Sequence, residues 1–500
     1  MVFSSVIFIW VFLPIVLIAY YATGAIFRNM KDGGQRAKNT VLLASSVIFY
    51  GMGGYKYLLL LLGVLLVNYV GGLLVDKGAG KKQRTAALSV TVVLNLAALF
   101  FFKYLNLFVR IYDNVTYSAN GKATWAECFD NMLRLKSTGE LEFVDIVLPI
   151  GISFYIFQSI SYVVDVYRKD AKLQRNFLDF SLYVSFFPQL IAGPIVKYSD
   201  VDAAIRSRKE SVALFGEGVS RFIYGMAKKV LIANTVAAVA DEIWKIDTEY
   251  LGAGVTWLAV VCYTLQIYFD FSGYSDMAIG LGKMFGFNFR ENFNYPYISG
   301  SVQEFWRRWH ISLSTWFKEY VYIPLGGSRC SKAKLLRNIF IVFLLTGVWH
   351  GANFTFLIWG LMYALLLIIE RLFLGKILKI KWVKPLAHIY ALFVVIIGWV
   401  IFRSDNIVYA LGFISKMFTA GNGEYTVFSF ITVRSTIAML AGILLSLPVF
   451  AGIKAGVAKL PKKTQGVLNF LETLWQILLL AYSIMVIVSG SYNPFIYFQF

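Results

Sequence analysis

The chain has 500 residues, 58% of them hydrophobic and 17% aromatic, with a formal net charge of +19. Its mean hydropathy of +0.65 and its many apolar runs near the ~20 residues that cross a bilayer exclude a soluble globular protein. A nucleic-acid partner is excluded as well, because the Lys and Arg residues fall in short loops between apolar runs, as the positive-inside bias distributes them.

In chain order, residues 6–27 lack a basic leader and a small-residue cleavage site, which predicts a retained helix with its N-terminus outside. Runs at 41–50 and 57–75 form a pair about Gly51-Met-Gly-Gly54, with basic residues at both ends. Residues 86–109 run outward into a loop of mixed charge, and 146–166 return to Arg168, Lys169, Lys172 and Arg175. Residues 177–195 carry Pro188 and Gly193-Pro194 and have basic flanks at both ends, so a re-entrant segment is expected there. Runs at 212–240 and 255–271 cross outward and back. Asp270 and Asp276 near the end of the second are read as polar caps.

Residues 272–337 are too polar to face lipid. In their core, Phe305-Trp-Arg-Arg-Trp-His-Ile-Ser-Leu-Ser-Thr-Trp-Phe317, aromatic and apolar residues recur at helical spacing with Arg307, Arg308 and Lys318 among them, which predicts a helix at the cytoplasmic interface. Residues 335–349 and 354–369 then form a hairpin opened and closed by basic residues, with His350 at its tip. Runs at 386–402, 431–450 and 467–488 follow, and the aromatic tail Tyr492-Asn-Pro-Phe-Ile-Tyr-Phe-Gln-Phe500 is placed outside. The fold class is therefore an all-α polytopic membrane protein of about 11–12 membrane helices, re-entrant and interfacial ones included. One membrane-embedded domain is expected over 1–500: N-terminal helices at 1–142, a catalytic core at 143–375, and C-terminal helices with the tail at 376–500.

Chemistry has few candidates. Of the three histidines, His350 stands at a break between apolar runs, where an imidazole suits general-base work, and His310 sits in the aromatic and basic segment as a second polar wall. His388 opens an ordinary spanning helix and is given no role. Cys128, Cys262 and Cys330 have neither paired nor metal-like spacing, so no disulfide framework and no metal site is expected. The glycines form no phosphate loop, and the serines lack a nucleophile elbow.

Leu148-Pro-Ile-Gly-Ile-Ser-Phe-Tyr-Ile-Phe-Gln158, Phe187-Pro-Gln-Leu-Ile-Ala-Gly-Pro-Ile195, Tyr268-Phe-Asp-Phe-Ser-Gly-Tyr-Ser-Asp276, Phe305-Trp-Arg-Arg-Trp-His310, Tyr322-Ile-Pro-Leu-Gly-Gly327 and Gly347-Val-Trp-His-Gly351 together resemble the membrane-bound O-acyltransferase family. The tail looks like the branch holding the membrane subunit of alginate O-acetylation and its peptidoglycan and cellulose relatives. The resemblance implies a ring of helices around a thinned centre, with His350 and His310 as the catalytic histidines. It further implies acetyl-CoA as donor substrate with no bound cofactor, an SGNH-type extracytoplasmic partner, an envelope polysaccharide as acceptor, contact with membrane lipids, and a multi-pass place in the bacterial inner membrane. Arg307, Arg308, Lys318 and Arg329 are then candidates for the donor phosphates, and Tyr497 for an acyl relay on the outer face. At position 353 the chain has Asn, within Gly-Ala-Asn-Phe, where relatives more often read Gly-Ala-Gly-Trp. Two readings compete: a D-alanyl transferase fed by a carrier protein, against which the tail speaks, and a transporter or flippase, for which no inverted repeat appears.

Overall fold

The computed structural model describes residues 2–29, 33–136, 146–419, 421, 423–490 and 492–494. Among them there is helix and no strand, as expected where every backbone polar group must be satisfied within its own segment. The principal helices are α1 (Phe8–Ile26), α2 (Gly33–Gly54), α3 (Leu58–Lys77), α4 (Lys81–Ala119), α5 (Ile152–Arg168), α6 (Phe177–Ser185), α7 (Tyr198–Arg206), α8 (Val212–Ile243), α9 (Ala253–Met284), α10 (Val302–Arg308), α11 (Ile311–Phe317), α12 (Lys332–His350), α13 (Phe354–Ile369), α14 (Lys384–Arg403), α15 (Ile407–Phe418), α16 (Val433–Leu445), α17 (Val449–Val457) and α18 (Lys462–Val488). Nine helical stretches among the described residues are long and apolar enough to cross a membrane.

One of those stretches, Gly34–Lys77, folds back on itself. Asn39 in α2 donates to Asp179 Oδ1 at 2.9 Å, and Tyr69 in α3 donates to the Arg175 carbonyl at 2.6 Å. A straight helix would hold residues 39 and 69 about 45 Å apart, whereas four residues of chain span at most about 14 Å. The bend falls at Gly54, whose φ of 164° is extended, next to the short turn Tyr55–Tyr57, so α2 and α3 are the pair that the glycines predicted.

The segment at 177–195 is re-entrant, as its prolines and basic flanks suggested. α6 has only nine residues, a turn at Phe187–Leu190 follows, and α7 brings the chain back. The Asn39 amide clasps both ends, through Asp179 Oδ1 at 2.9 Å and the Ile205 carbonyl at 3.0 Å. Differing from the sequence expectation, α5 is not a lipid-facing span: it is 17 residues long, and nearly all of its side chains are buried. The 431–450 run is bent rather than straight, since α16 and α17 meet at a 64° angle.

α8 and α9 form the post against which the rest packs. They approach closely enough that only glycine fits at the crossing: a methyl on Gly225 would stand 2.6 Å from the Gly273 carbonyl oxygen, and one on Gly218 2.6 Å from that of Gly280. The same crossing carries charge. Asp276 accepts from Lys228 and from Arg221, each at 2.6 Å, and Asp270 pairs with Lys229 at 2.6 Å. The two aspartates are thus paired within the span rather than capping it, and π-helical widening at Lys228–Ala233 sets both lysines toward α9.

Candidate active site

α12 and α13 form the expected hairpin, and its arms touch through glycine. A methyl on Gly360 would meet the Phe343 carbonyl oxygen at 2.5 Å and the Gly347 Cα at 3.0 Å. α12 ends at His350 because Gly351 turns extended, and Asn353 starts α13 by accepting the Thr355 N–H at 3.0 Å while donating to the Asp405 carbonyl at 2.8 Å. The unusual asparagine of the tip is therefore a helix cap tied to the end of α14.

Four aromatic rings cage the His350 imidazole: Trp349 at 4.9 Å between centroids, Trp359 and Phe402 each at 5.0 Å, and Phe356 at 6.3 Å. The side chain is 9% exposed and makes no hydrogen bond among the described residues. The last carbonyls of α12 have partners on α4. Lys103 Nζ donates to the Trp349 carbonyl oxygen and Tyr104 OH to that of Val348, with the Lys103 ammonium 5.6 Å from the centre of the Trp349 ring. A cation at the negative end of a helix holds its last turn in place, and that turn carries His350.

The predicted interfacial helix is broken at His310 into α10 and α11. His310 has φ 44° and ψ 56°, a left-handed conformation costly for a residue with a Cβ. Local bonds hold it there: the Trp309 N–H returns to the Phe305 carbonyl at 2.8 Å, and the Ile311 N–H reaches the Asn292 carbonyl at 2.9 Å. α10 docks onto the hairpin. Glu370 accepts the Val302 and Gln303 N–H groups at 2.7 and 3.0 Å, and Trp306 packs on Phe343, Trp359 and Tyr363.

This docking brings both histidines against one indole, Trp349, whose ring centroid is 6.2 Å from that of His310 and 4.9 Å from that of His350. Phe271 meets the His310 ring edge-on at 4.6 Å. His310 Nδ1 lies 3.2 Å from Asn292 Oδ1, while Nε2 is buried with no hydrogen-bond partner among the described residues. Burial pushes this imidazole down to about 3, so it is neutral at physiological pH. His388 lies outside the group, in the first turn of α14, some 14 residues or about 21 Å of helix from Phe402.

Of the cations expected at the donor, Arg308 pairs with Glu304 at 2.9 Å and donates to the Asn294 carbonyl at 3.1 Å. Arg307, Lys318 and Arg329 are exposed and form no ion pair among the described residues. Tyr497 lies outside the described residues. The chain leading to it is anchored: Tyr492 OH donates to Asp241 Oδ2 at 2.7 Å, Asn234 donates to Asn493 Oδ1 at 3.0 Å, and Lys229 donates to the Pro494 carbonyl. Asp241 in turn accepts from Arg403 at 2.7 Å, beside the Phe402 that packs on His350.

Sequence reasoning missed Lys103, Tyr104 and Asn292. Lys103 had a signal, a lone ammonium inside an apolar run. Asn292 had none, since its partners are set by the loop that folds back over His310.

Residues 171–410 match the membrane-bound O-acyltransferase family. A probable alginate O-acetylase AlgI of Pseudomonas aeruginosa is 44% identical over 85% of this chain and 76% of its own length, and that of Pseudomonas putida is 40% identical over the whole of both chains. The chain belongs to the membrane-bound O-acyltransferase family. A peptidoglycan O-acetyltransferase of Helicobacter pylori is 33% identical over 83% of this chain and 80% of its own. The protein is thus a multi-pass membrane O-acyltransferase, and its caged His350 imidazole is a buried basic group of the kind that general-base chemistry uses.

Proposed function

We propose that this O-acyltransferase takes an acetyl group from acetyl-CoA at the cytoplasmic face and passes it across a bacterial inner membrane for O-acetylation of an extracytoplasmic polysaccharide. The observation that carries the reading is His350: a buried imidazole with no hydrogen bond among the described residues, at the tip of a hairpin whose arms end among basic residues. The similarity to proteins named for alginate and peptidoglycan O-acetylation supports the acetyl group and the glycan acceptor. His350 removes the proton of the attacking hydroxyl, the oxygen bonds to the thioester carbonyl carbon, and the C–S bond breaks to release coenzyme A as its thiol, with the proton passed on from the imidazole. Exclusion of water from the cage limits hydrolysis.

Arg307, Lys318 and Arg329, exposed and in no ion pair among the described residues, are the cations that would meet the phosphates of coenzyme A. Arg308, held by Glu304, borders that set. On the outer face Tyr497 is the candidate acyl relay toward an SGNH-type transferase, three residues after the anchored Pro494.

The test supplies acetyl-labelled coenzyme A to membranes holding the protein, with and without candidate extracytoplasmic partners. Label in an envelope glycan is expected for the wild type and not for His350→Ala at equal membrane expression. Labelling that persists in His350→Ala sinks the assignment, and label delivered only from an aminoacyl carrier protein replaces the donor. Tyr497→Phe is expected to stop transfer to the glycan, and full activity in that variant leaves the tail as an anchor only.

A further inference from the structure

Around His310 the polar atoms have an order that fixes which imidazole nitrogen carries the hydrogen. Asn292 Oδ1 lies 3.2 Å from the Ser312 backbone nitrogen, which can only donate, so the oxygen and not the amide nitrogen faces this side. The Ser312 hydroxyl donates to the same oxygen at 2.9 Å, while its own oxygen accepts the Ile195 N–H at 3.0 Å. On the other side the Asn292 amide nitrogen donates to Ser275 Oγ at 3.1 Å. The amide is thereby oriented by groups other than the histidine.

His310 Nδ1 has two polar neighbours, Asn292 Oδ1 at 3.2 Å and the Ser312 hydroxyl oxygen at 3.5 Å; with the Ser312 hydrogen directed to Asn292 Oδ1 at 2.9 Å, a lone pair on Nδ1 would face only lone pairs, so Nδ1 is the donor. In a neutral ring the hydrogen then sits on Nδ1 and the lone pair on Nε2. Nε2 is buried with no hydrogen-bond partner among the described residues, and the ring that carries it lies among Phe154, Phe271 and Trp349. The left-handed backbone at His310, closed by the Ile311 N–H on the Asn292 carbonyl, holds the ring in this relation.

We propose that Asn292 is a positioning residue that locks His310 as the Nδ1–H tautomer and so presents Nε2 to the substrate as a hydrogen-bond acceptor. His310 then receives an O–H, S–H or N–H of the reacting molecules and cannot donate to a thioester carbonyl or to the oxyanion formed from it. The inference rests on the acyl-transfer reading for its consequence, but the tautomer is observable without turnover.

The sequence holds only three histidines, so histidine-selective 15N labelling of the full-length protein in bilayers gives an assignable spectrum, with His310→Gln, His350→Gln and His388→Gln identifying each ring. The wild-type His310 signal is expected at the neutral Nδ1–H shifts. Asn292→Ala is expected to move it toward the Nε2–H form and to lower kcat for acetyl transfer by about 100-fold with KM little changed. Asn292→Asp, which keeps an acceptor at Oδ, is expected to retain the tautomer and covers the case in which the alanine variant fails to fold. A wild-type His310 protonated at Nε2, or an Asn292→Ala protein that keeps both tautomer and kcat, overturns the proposal. The expected tautomer in a protein that moves no acetyl group from acetyl-CoA overturns the donor assignment instead and leaves the role of Asn292 standing.

Discussion

Lys103 and Glu304 show how single side chains set the site without touching the reacting atoms. The Lys103 ammonium caps the last turn of α12, and a hydrogen bond from a charged donor contributes about 1.5–3 kcal/mol. Lys103→Met is expected to lower stability by about 1–3 kcal/mol in detergent unfolding and to reduce kcat further than that loss explains, with Lys103→Arg restoring part of both. Glu304 is partly buried, which would raise its carboxyl, yet the Gly300 N–H and Arg308 outweigh this and hold it below its ordinary value of 4.5. A depressed carboxylate contributes stability that is present above the unfolded-state value and lost as the pH falls through the folded one. Unfolding measured from pH 6 down to 3 is therefore expected to show a loss of stability below about pH 4.5 that Glu304→Gln flattens.

Between elements, close approach and paired charge decide the packing. The α12/α13 hairpin depends on Gly347 and Gly360 being bare, and Gly360→Val is expected to push the arms apart at a cost of about 1–3 kcal/mol, displacing His350 and lowering kcat while Gly466→Val, where nothing lies within 4 Å, does neither. The Lys229–Asp270 pair has side chains 3% and 2% exposed. Removing one partner strands a buried charge, so Lys229→Met alone is expected to cost about 3–5 kcal/mol. The double variant Lys229→Met with Asp270→Leu should cost less than either single change, measured as a double-mutant cycle of thermal unfolding. Element-level sequence signals were strong where they were local: Pro188 and Pro194 marked the re-entrant turn, and the small-residue break at Gly351 marked the hairpin tip. They failed for α5, because an apolar run reads the same whether lipid or protein covers it, and they gave no sign of the 64° bend between α16 and α17.

On the scale of the whole molecule, the chain ends are tied to the same post. Asn493 donates to the Ser4 carbonyl at 3.3 Å and accepts from Asn234, while Tyr492 closes on Asp241 and Arg403. The amino acids by themselves determined a polytopic helical protein, its hairpin, its re-entrant segment and the short roster of imidazoles, because hydropathy, helix breakers and residue chemistry are properties of neighbours in the chain. Only the tertiary structure decided that His310 and His350 both come beside the Trp349 indole, and that Lys103 and Asn292 support the segments that carry the two histidines. Those relations join positions 18 to 246 residues apart, and a contact of that kind exists only once the helices have packed.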